Sequence, residues 1–210
     1  AQGGVTALHV ACLKGQDHCV ELLLSANAAV DHVDLKCRSP LNVACDAGFD
    51  SCVRLLLAAK ANVDQAEQDG HTPLYVACSK GHASCAALLL AINAAVDQPA
   101  QGGVTALHMA CFEGHGNCVE LLLAASATVD PGALRLACRE GHTHCVELLL
   151  SANAAVDQPE LGGQTPLHTA CILGSLVMVK RLLLARAATH VCTNEGRTPL
   201  SIAEASGHGA

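Results

Sequence analysis

Aromatic residues are almost missing from this chain. Its 210 residues contain no tryptophan, and Phe49, Tyr75 and Phe112 complete the aromatic class. Hydrophobic residues nonetheless make up 51%. A core of this composition has to be thin and filled with Leu, Ala, Val and Cys, and such small side chains let helices approach closely, as in stacked repeats. Three scattered aromatics do not make a cage for a methylated ammonium ligand. No apolar run approaches the roughly 18 residues needed to cross a bilayer, so no membrane insertion is expected, and no segment resembles a secretory leader. Basic residues are few: 12 Lys and Arg stand against 19 Asp and Glu, for a net charge of −7, and the longest basic run is Lys180-Arg181. No nucleic-acid partner is expected from so sparse a cationic surface, whereas a mildly acidic interaction protein fits.

Close cysteine pairs are absent too. The 13 cysteines are an odd number, and Cys12/Cys19, Cys45/Cys52, Cys78/Cys85, Cys111/Cys118 and Cys138/Cys145 are each seven residues apart. Zinc ribbons and fingers need much closer pairs. A free thiol behaves as a small buried hydrophobe, so packing cysteines in an intracellular reducing compartment are expected. The cytoplasm is the first expectation, with nucleus or organelle left open.

Motifs of chemistry are equally scarce. The chain has no G-x-S-x-G, no phosphate-binding Gly-Lys-Ser/Thr loop and no H-E-x-x-H. His115/Cys118 and His142/Cys145 are candidate nucleophile pairs, but they recur with the repeat, and a turn-forming His beside a packing Cys explains them better. His142, His144 and Cys145 would make a poor metal site, because adjacent residues point to different faces of a helix. No catalytic, cofactor-binding or metal-binding residue is therefore expected, and the chain is not expected to be an enzyme.

What is present is repetition. An Ala-Cys pair recurs at Ala11-Cys12, Ala44-Cys45, Ala77-Cys78, Ala110-Cys111, Ala137-Cys138 and Ala170-Cys171, spaced 33, 33, 33, 27 and 33. Ala203 continues the series. Residues 21–31 repeat verbatim as 147–157, and residues 1–9 as 100–108. Each unit reads as helix, tight turn, helix and extended finger. The first helix opens at Thr6, Ser39, Thr72, Thr105, Thr165 or Thr198, whose hydroxyls can accept from unpaired backbone N–H groups. Pro40, Pro73, Pro166 and Pro199 follow where a missing donor is harmless. His9, His108 and His168 stand where a capping-box side chain reaches back. Glycines 15, 48, 81, 114, 141 and 174 separate the two helices. A Leu-Leu-Leu run fills the second helix, which ends at Asn27, Asn93 or Asn153, residues that tolerate a left-handed cap.

The pattern G-x-T-P-L-H-x-A…G-H-x-x-V-x-L-L-L…A-x-V-D, clearest at 163–184 and 70–90, resembles the ankyrin repeat over essentially the whole chain. The resemblance implies an all-α solenoid of stacked helix-turn-helix units with β-hairpin-like fingers, forming a single domain over 1–210. Its units run about 1–33, 34–66, 67–99, 100–130, 131–159 and 160–192, with a partial seventh at 193–210. The G-H-x-x-C-V-x-L-L-L flavour is similar to repeats in adaptors that recruit substrates to ubiquitin ligases, though other ankyrin families share it. Membership of that class would need a recruiting box after Ala210.

Several residues depart from the pattern. Cys37 replaces the finger glycine of Gly4, Gly70, Gly103, Gly163 and Gly196, so its turn is either strained or different. Asn42, Tyr75 and Ser201 replace the capping histidine. The fifth unit is six residues short and has lost its finger, with Asp130-Pro131 left to serve as cap and first helical residue. Its helices are expected to stay stacked, leaving a notch in the finger row. Neither end carries the polar capping unit that solenoids need, which points to an extended natural protein or a covering partner.

In the ankyrin family, finger tips and exposed first-helix positions form the concave binding face. Carried over by position, they are Leu35, Lys36, Arg38 and Asp46 in the second unit, and Gln68, Asp69, His71, Ser79 and Lys80 in the third. The fourth offers Gln101, Val104, Phe112 and Glu113, the fifth Arg139 and Glu140, and the sixth Leu161, Gln164, Ile172 and Leu173. These positions vary between units while the frame does not. Phe112, Ile172 and Leu173 are apolar in an exposed row, where they either make a contact patch or pack on the next unit. The implied function is binding of a protein partner through this face. A structural scaffold or spacer within a larger complex, or the non-catalytic part of a larger enzyme, are the alternatives.

Overall fold

The computed structural model describes residues 2–159 and 162–208. Among them the regular structure is thirteen α-helices and two short 3-10 turns, with no strand. Six helix pairs follow one another: α1 (Ala7–Leu13) and α2 (Asp17–Ser25), α3 (Pro40–Ala47) and α4 (Asp50–Ala58), α5 (Pro73–Ser79) and α6 (Ala83–Ala91). Then come α7 (Ala106–Glu113) and α8 (Gly116–Ala124), α9 (Pro131–Arg139) and α10 (Thr143–Ser151), α11 (Pro166–Ile172) and α12 (Leu176–Leu184), and finally α13 (Pro199–Ala205). First helices pack on first helices, second helices on second helices, and each pair on itself. The result is the two-layered all-α solenoid implied by the sequence.

Helices of seven to nine residues do not persist alone in water; stacking has to hold them. The core is one row per helix position. Leu8, Leu41, Leu74, Leu107, Leu134 and Leu167 are at most 2% exposed, and the alanines and cysteines of the Ala-Cys pairs are buried beside them. Second helices contribute Cys52, Val53 and Leu56, and the matching triads Cys85-Ala86-Leu89, Cys118-Val119-Leu122 and Cys145-Val146-Leu149. All cysteines are free, and Cys19, Cys37 and Cys192 are the exposed ones. Cys19 of α2 is exposed, whereas Cys52, Cys85, Cys118 and Cys145 in the same register of later second helices are buried against the helix pair before them.

The caps form as the sequence requires. Thr6, Thr105 and Thr165 make reciprocal capping boxes with His9, His108 and His168. Each histidine also reaches forward. His9 Nε2 donates to the Arg38 carbonyl at 2.9 Å, and His168 Nε2 to that of Arg197 at 3.1 Å. A carbonyl can only accept, so the proton sits on Nε2 while Nδ1 accepts from the cap N–H. Asn42 does the same job with an amide: Oδ1 accepts from Ser39 N–H at 3.0 Å and Nδ2 donates to the His71 carbonyl at 3.4 Å. Tyr75 and Ser201 donate their backbone N–H to the cap hydroxyls of Thr72 and Thr198, and the Ser201 hydroxyl also donates to the Thr198 carbonyl at 2.9 Å.

Left-handed residues punctuate the pairs. Gly48 and Gly81 have φ of 77° and 74°, and a methyl group on Gly81 would lie 2.6 Å from the His115 ring. Glycine here answers both backbone conformation and close approach of the next unit. At the ends of the second helices, Asn27, Asn93 and Asn153 adopt φ near 60° as expected, but so do Lys60, Ser126 and Arg186 in the same register. The N–H of Ala28 donates to the Leu23 carbonyl and that of Asn27 to Leu24, both at 3.0 Å. This paired closure recurs from unit to unit and imposes the conformation whatever the side chain.

The fingers are tight turns linked by single backbone bonds. Leu35 N–H donates to Gly3 O, Gln68 N–H to Lys36 O, and Gln101 N–H to Asp69 O, each at 3.1 Å. Asn194 N–H donates to Gly162 O at 2.9 Å. Cys37 has φ of 59°, so the second finger keeps the glycine conformation with a side chain in it, a strained choice. The fifth unit has no finger. Asp130 caps α9 directly, accepting from Ala133 N–H at 3.1 Å, with Pro131 at the first helical position. α9 still packs on α7 and α11.

Candidate partner-binding face

Finger turns and the ends of first helices share one side of the stack, and the second and third units close a polar cleft there. Its volume is about 520 Å3, and Lys36, Arg38, Asn42, Asp46, Glu67, Gln68, Asp69 and Val76 line it. Five residues expected at the binding face, Lys36, Arg38, Asp46, Gln68 and Asp69, are thus brought together. Arg38 is fixed by Asp34: its Nε donates to Oδ2 at 2.9 Å, and the backbone N–H groups of Lys36 and Arg38 donate to Oδ1 at 2.8 and 3.0 Å. Burial by itself would raise the Asp34 carboxyl; the Arg38 hydrogen bond and the two N–H donors outweigh it and hold the carboxyl below the usual range.

The remaining polar groups of this face divide into anchored and free. His71 Nδ1 lies 2.6 Å from Glu67 Oε1, and its ring stacks on Tyr75 at 4.3 Å. Ser79 donates its hydroxyl to the Val76 carbonyl at 2.9 Å, which ties it to its own helix. Lys80 and Asp46 make a loose exposed pair at 3.8 Å. Leu35, at the second finger tip, is 79% exposed. Gln101 is tied to the third finger, donating from Nε2 to the Gln68 carbonyl at 3.4 Å.

Beyond the cleft the expected residues do not form one patch. Val104, Phe112 and Gln164 are half-buried, and Glu113 is exposed. Phe112 lies under the guanidinium of Arg139, 6.0 Å from the ring centre, while Arg139 also pairs with Glu140 at 2.9 Å. The Phe112 ring therefore both packs on the next unit and offers an edge. Ile172 and Leu173 are exposed, at the end of α11 and just past it. Leu161 lies outside the described residues.

Histidines that follow the interhelical glycines act as staples between units. His142 Nε2 donates to the Phe112 carbonyl at 3.0 Å, and His82 Nε2 to that of Asp46 at 3.3 Å. Their cysteine neighbours are core. Burial pushes Cys145 up to about 11, and contact with Cys118 together with burial holds Cys78 well above the ordinary thiol range. The shared hydrogen bond lowers Cys118 in turn, but that side chain has no solvent access. A thiol in such a place is no nucleophile.

One set of residues escaped the sequence reading. The aspartates of the Val-Asp pairs form a second row of staples: Asp31, Asp64 and Asp97 each accept at 2.9 Å from the backbone N–H of Asn62, Ala95 and Thr128, and Asp157 at 2.8 Å from Ala188. Their recurrence after valine in the first five units, at Asp31, Asp64, Asp97, Asp130 and Asp157, was the available signal. Asp130 stands in the same register but is diverted, capping α9 and accepting from His108 Nε2 at 2.9 Å.

Stacked helix pairs joined by finger turns and two rows of side-chain staples define a helical-repeat protein. Ankyrin-repeat models match residues 1–67, 41–133 and 134–210, and the chain belongs to the ankyrin repeat family. Solved structures agree. The human ASB11 ankyrin repeat domain is similar with a TM-score of 0.85 and 29% identity, covering 95% of this chain and 92% of that one. The ankyrin repeat domain of Bcl-3, described as a unique member of the IkappaB protein family, follows with 0.82 and 27%, covering 96% and 95%. A comparison with curated protein sequences found no match.

Proposed function

We propose that this chain is a non-catalytic protein-interaction domain of a reducing compartment, and that it holds its partner across the fingers and first helices. The polar cleft between the second and third units carries the reading. Asn42 is tied to the next unit and Arg38 to Asp34 of its own finger, whereas Lys36, Gln68 and Asp69 are exposed residues in the lining of that cleft. Leu35 at the tip and Phe112 with Arg139 further along add an apolar and an aromatic–cation contact, residue types that carry interface energy. Photo-crosslinking residues placed at Leu35 and Lys36, and as controls at Glu21 and Arg54 on second helices, test the face. Partner crosslinks from the first two sites alone are expected. Phe112→Ala should weaken the captured partner at least about fivefold, as an interface aromatic does, with unfolding by urea little changed. Equal crosslinking from Glu21 and Arg54 would remove the face from consideration.

A second reading, a structural subunit of a larger assembly, draws on the apolar side chains exposed on the last helices, among them Leu176, Leu184 and Leu200. Sedimentation of the isolated chain separates the two, since a spacer subunit should aggregate alone and a docking domain should remain monomeric.

A further inference from the structure

The cleft between the second and third units owes its room to one residue. Asn42 holds the third position of α3, where α1 carries His9 and α5 carries Tyr75. It makes a histidine's staple with a smaller side chain, bonding Ser39 N–H and the His71 carbonyl, and about 520 Å3 stays open beside it. Val76, 8% exposed, supplies the apolar part of the lining. The finger side is held by backbone: Gln68 N–H donates to Lys36 O and Gln101 N–H to Asp69 O, both at 3.1 Å. The cleft is therefore formed before anything enters it.

Internal pairing leaves its walls acidic. Asp34 answers the charge of Arg38 at 2.8 Å, so Lys36 is the cation of the lining that no carboxylate among the described residues holds. Against it stand Asp46, Glu67 and Asp69. Glu67 uses only Oε1 on His71, at 2.6 Å. Asp46 meets Lys80 at 3.8 Å, with both side chains about half exposed. Asp69 is exposed, and no side chain among the described residues bonds its carboxylate. The same three positions are Leu13, Asp34 and Lys36 one junction earlier, and Ser79, Ala100 and Gly102 one junction later. Three carboxylates around an open, partly apolar cleft thus mark this junction and neither neighbour.

Resting on the binding-face reading, we infer that this cleft receives an arginine side chain of the partner protein, its methylenes against Val76 and its guanidinium among Asp46, Glu67 and Asp69. An arginine presents five N–H donors in a planar fork and can bond two carboxylates at once, whereas a lysine ammonium is a compact and strongly hydrated point charge. An apolar stem ending in a cation also matches a lining that is apolar at Val76 and acidic around it. Lys36 competes for the same carboxylates, which fixes the sign of its effect: its removal should tighten the binding of arginine.

The probe is N-acetyl-arginine methylamide, with the citrulline compound as its uncharged isostere, titrated at low salt into the isotope-labelled full chain and followed by amide NMR signals. Saturable shifts at Gln68, Asp69 and Val76 are expected, with a dissociation constant of about 1–10 mM for one side chain. The citrulline compound should bind at least about fivefold more weakly, having lost the charge-assisted bonds. Asp69→Asn should weaken arginine severalfold and Lys36→Gln should strengthen it about twofold, the scale of exposed charge pairs. Both are surface changes, and circular dichroism confirms that each variant is folded. Four results overturn the inference: no saturable shift at about 100 mM, far beyond the expected affinity; citrulline bound as well as arginine; Lys36→Gln weakening arginine; or N-acetyl-glutamate methylamide bound better, which would give the cleft to an acidic group. Partner crosslinks from Leu35 and Lys36 without a preference for arginine sink this inference and spare the face; absence of those crosslinks sinks the face itself.

Discussion

The helix layers run unbroken through the fifth unit, whereas the finger row does not. α9 packs on α7 and α11 as its counterparts do, with Leu134, Ala137 and Cys138 fully buried. The fingers are chained by one backbone bond per junction from Gly3 to Gln101, and in the fifth unit the chain passes straight from Asp130 into the helix. The difference is one of redundancy. A helix pair is held by a row of apolar side chains on two sides, and removing it would open the core. A finger is held by a turn and one bond to each neighbour, so six residues disappear at small cost, provided the orphaned polar groups find partners. Asp130 supplies them. It leaves the row of aspartate staples, accepts from Ala133 N–H, and gives His108 a carboxylate in place of the next finger's carbonyl.

If the helix layer is the structural element, a core truncation in the fingerless unit should be as damaging as anywhere. Leu134→Ala is expected to cost about 2–5 kcal/mol in urea unfolding; a cost near zero would mean that the fifth unit is carried by its neighbours. The finger layer should respond to its buried charge. Asp34→Asn is expected to cost about 1–3 kcal/mol at neutral pH, from lost charged hydrogen bonds. The sign follows from a carboxyl held below its ordinary range. Its contribution is fully present above the unfolded value of about 4 and lost as pH falls through the lower folded value. The gap between wild type and Asp34→Asn should therefore close only in acid below about pH 4, and a pH-independent gap would assign the effect to shape.

Asp130→Ala removes both a helix cap and the acceptor of His108, and about 0.5–2 kcal/mol is expected. Asp64→Ala, which loses one staple in a unit that keeps its finger, should cost less; the reverse order would break the comparison. The smallest effect is a gain. Cys37→Gly relieves a left-handed side chain and should stabilise the protein by about 0.5–1 kcal/mol, measured as a rise in the urea midpoint.

Much of this was legible before any coordinates. The Thr-x-x-His boxes and the interhelical glycines are local devices, and local chemistry fixes them. The fifth-unit deletion and its Asp130-Pro131 replacement could be read because a cap and a first helical proline act within one turn. The positive φ of Lys60, Ser126 and Arg186 was hidden, since those side chains carry no left-handed preference and the closure comes from the surrounding backbone. The partners of Asp31 and Asp64 were hidden for a related reason. Each lies about 31 residues ahead, and spacing alone does not say which N–H a stacked unit leaves facing the carboxylate. Of the expected face, five residues meet in one cleft, while Phe112, Ile172 and Leu173 lie apart from it.

By itself the sequence determined the brick: the period, the caps, the apolar rows, and hence a stack whose every unit needs a neighbour. Only the tertiary structure decided which side chains remain after stacking. Whether Lys36 stays exposed or Phe112 lies under Arg139 depends on the unit alongside. Helix and turn formation are settled by residues a few positions apart, whereas exposure is settled by surfaces that meet only when the bricks are laid in register.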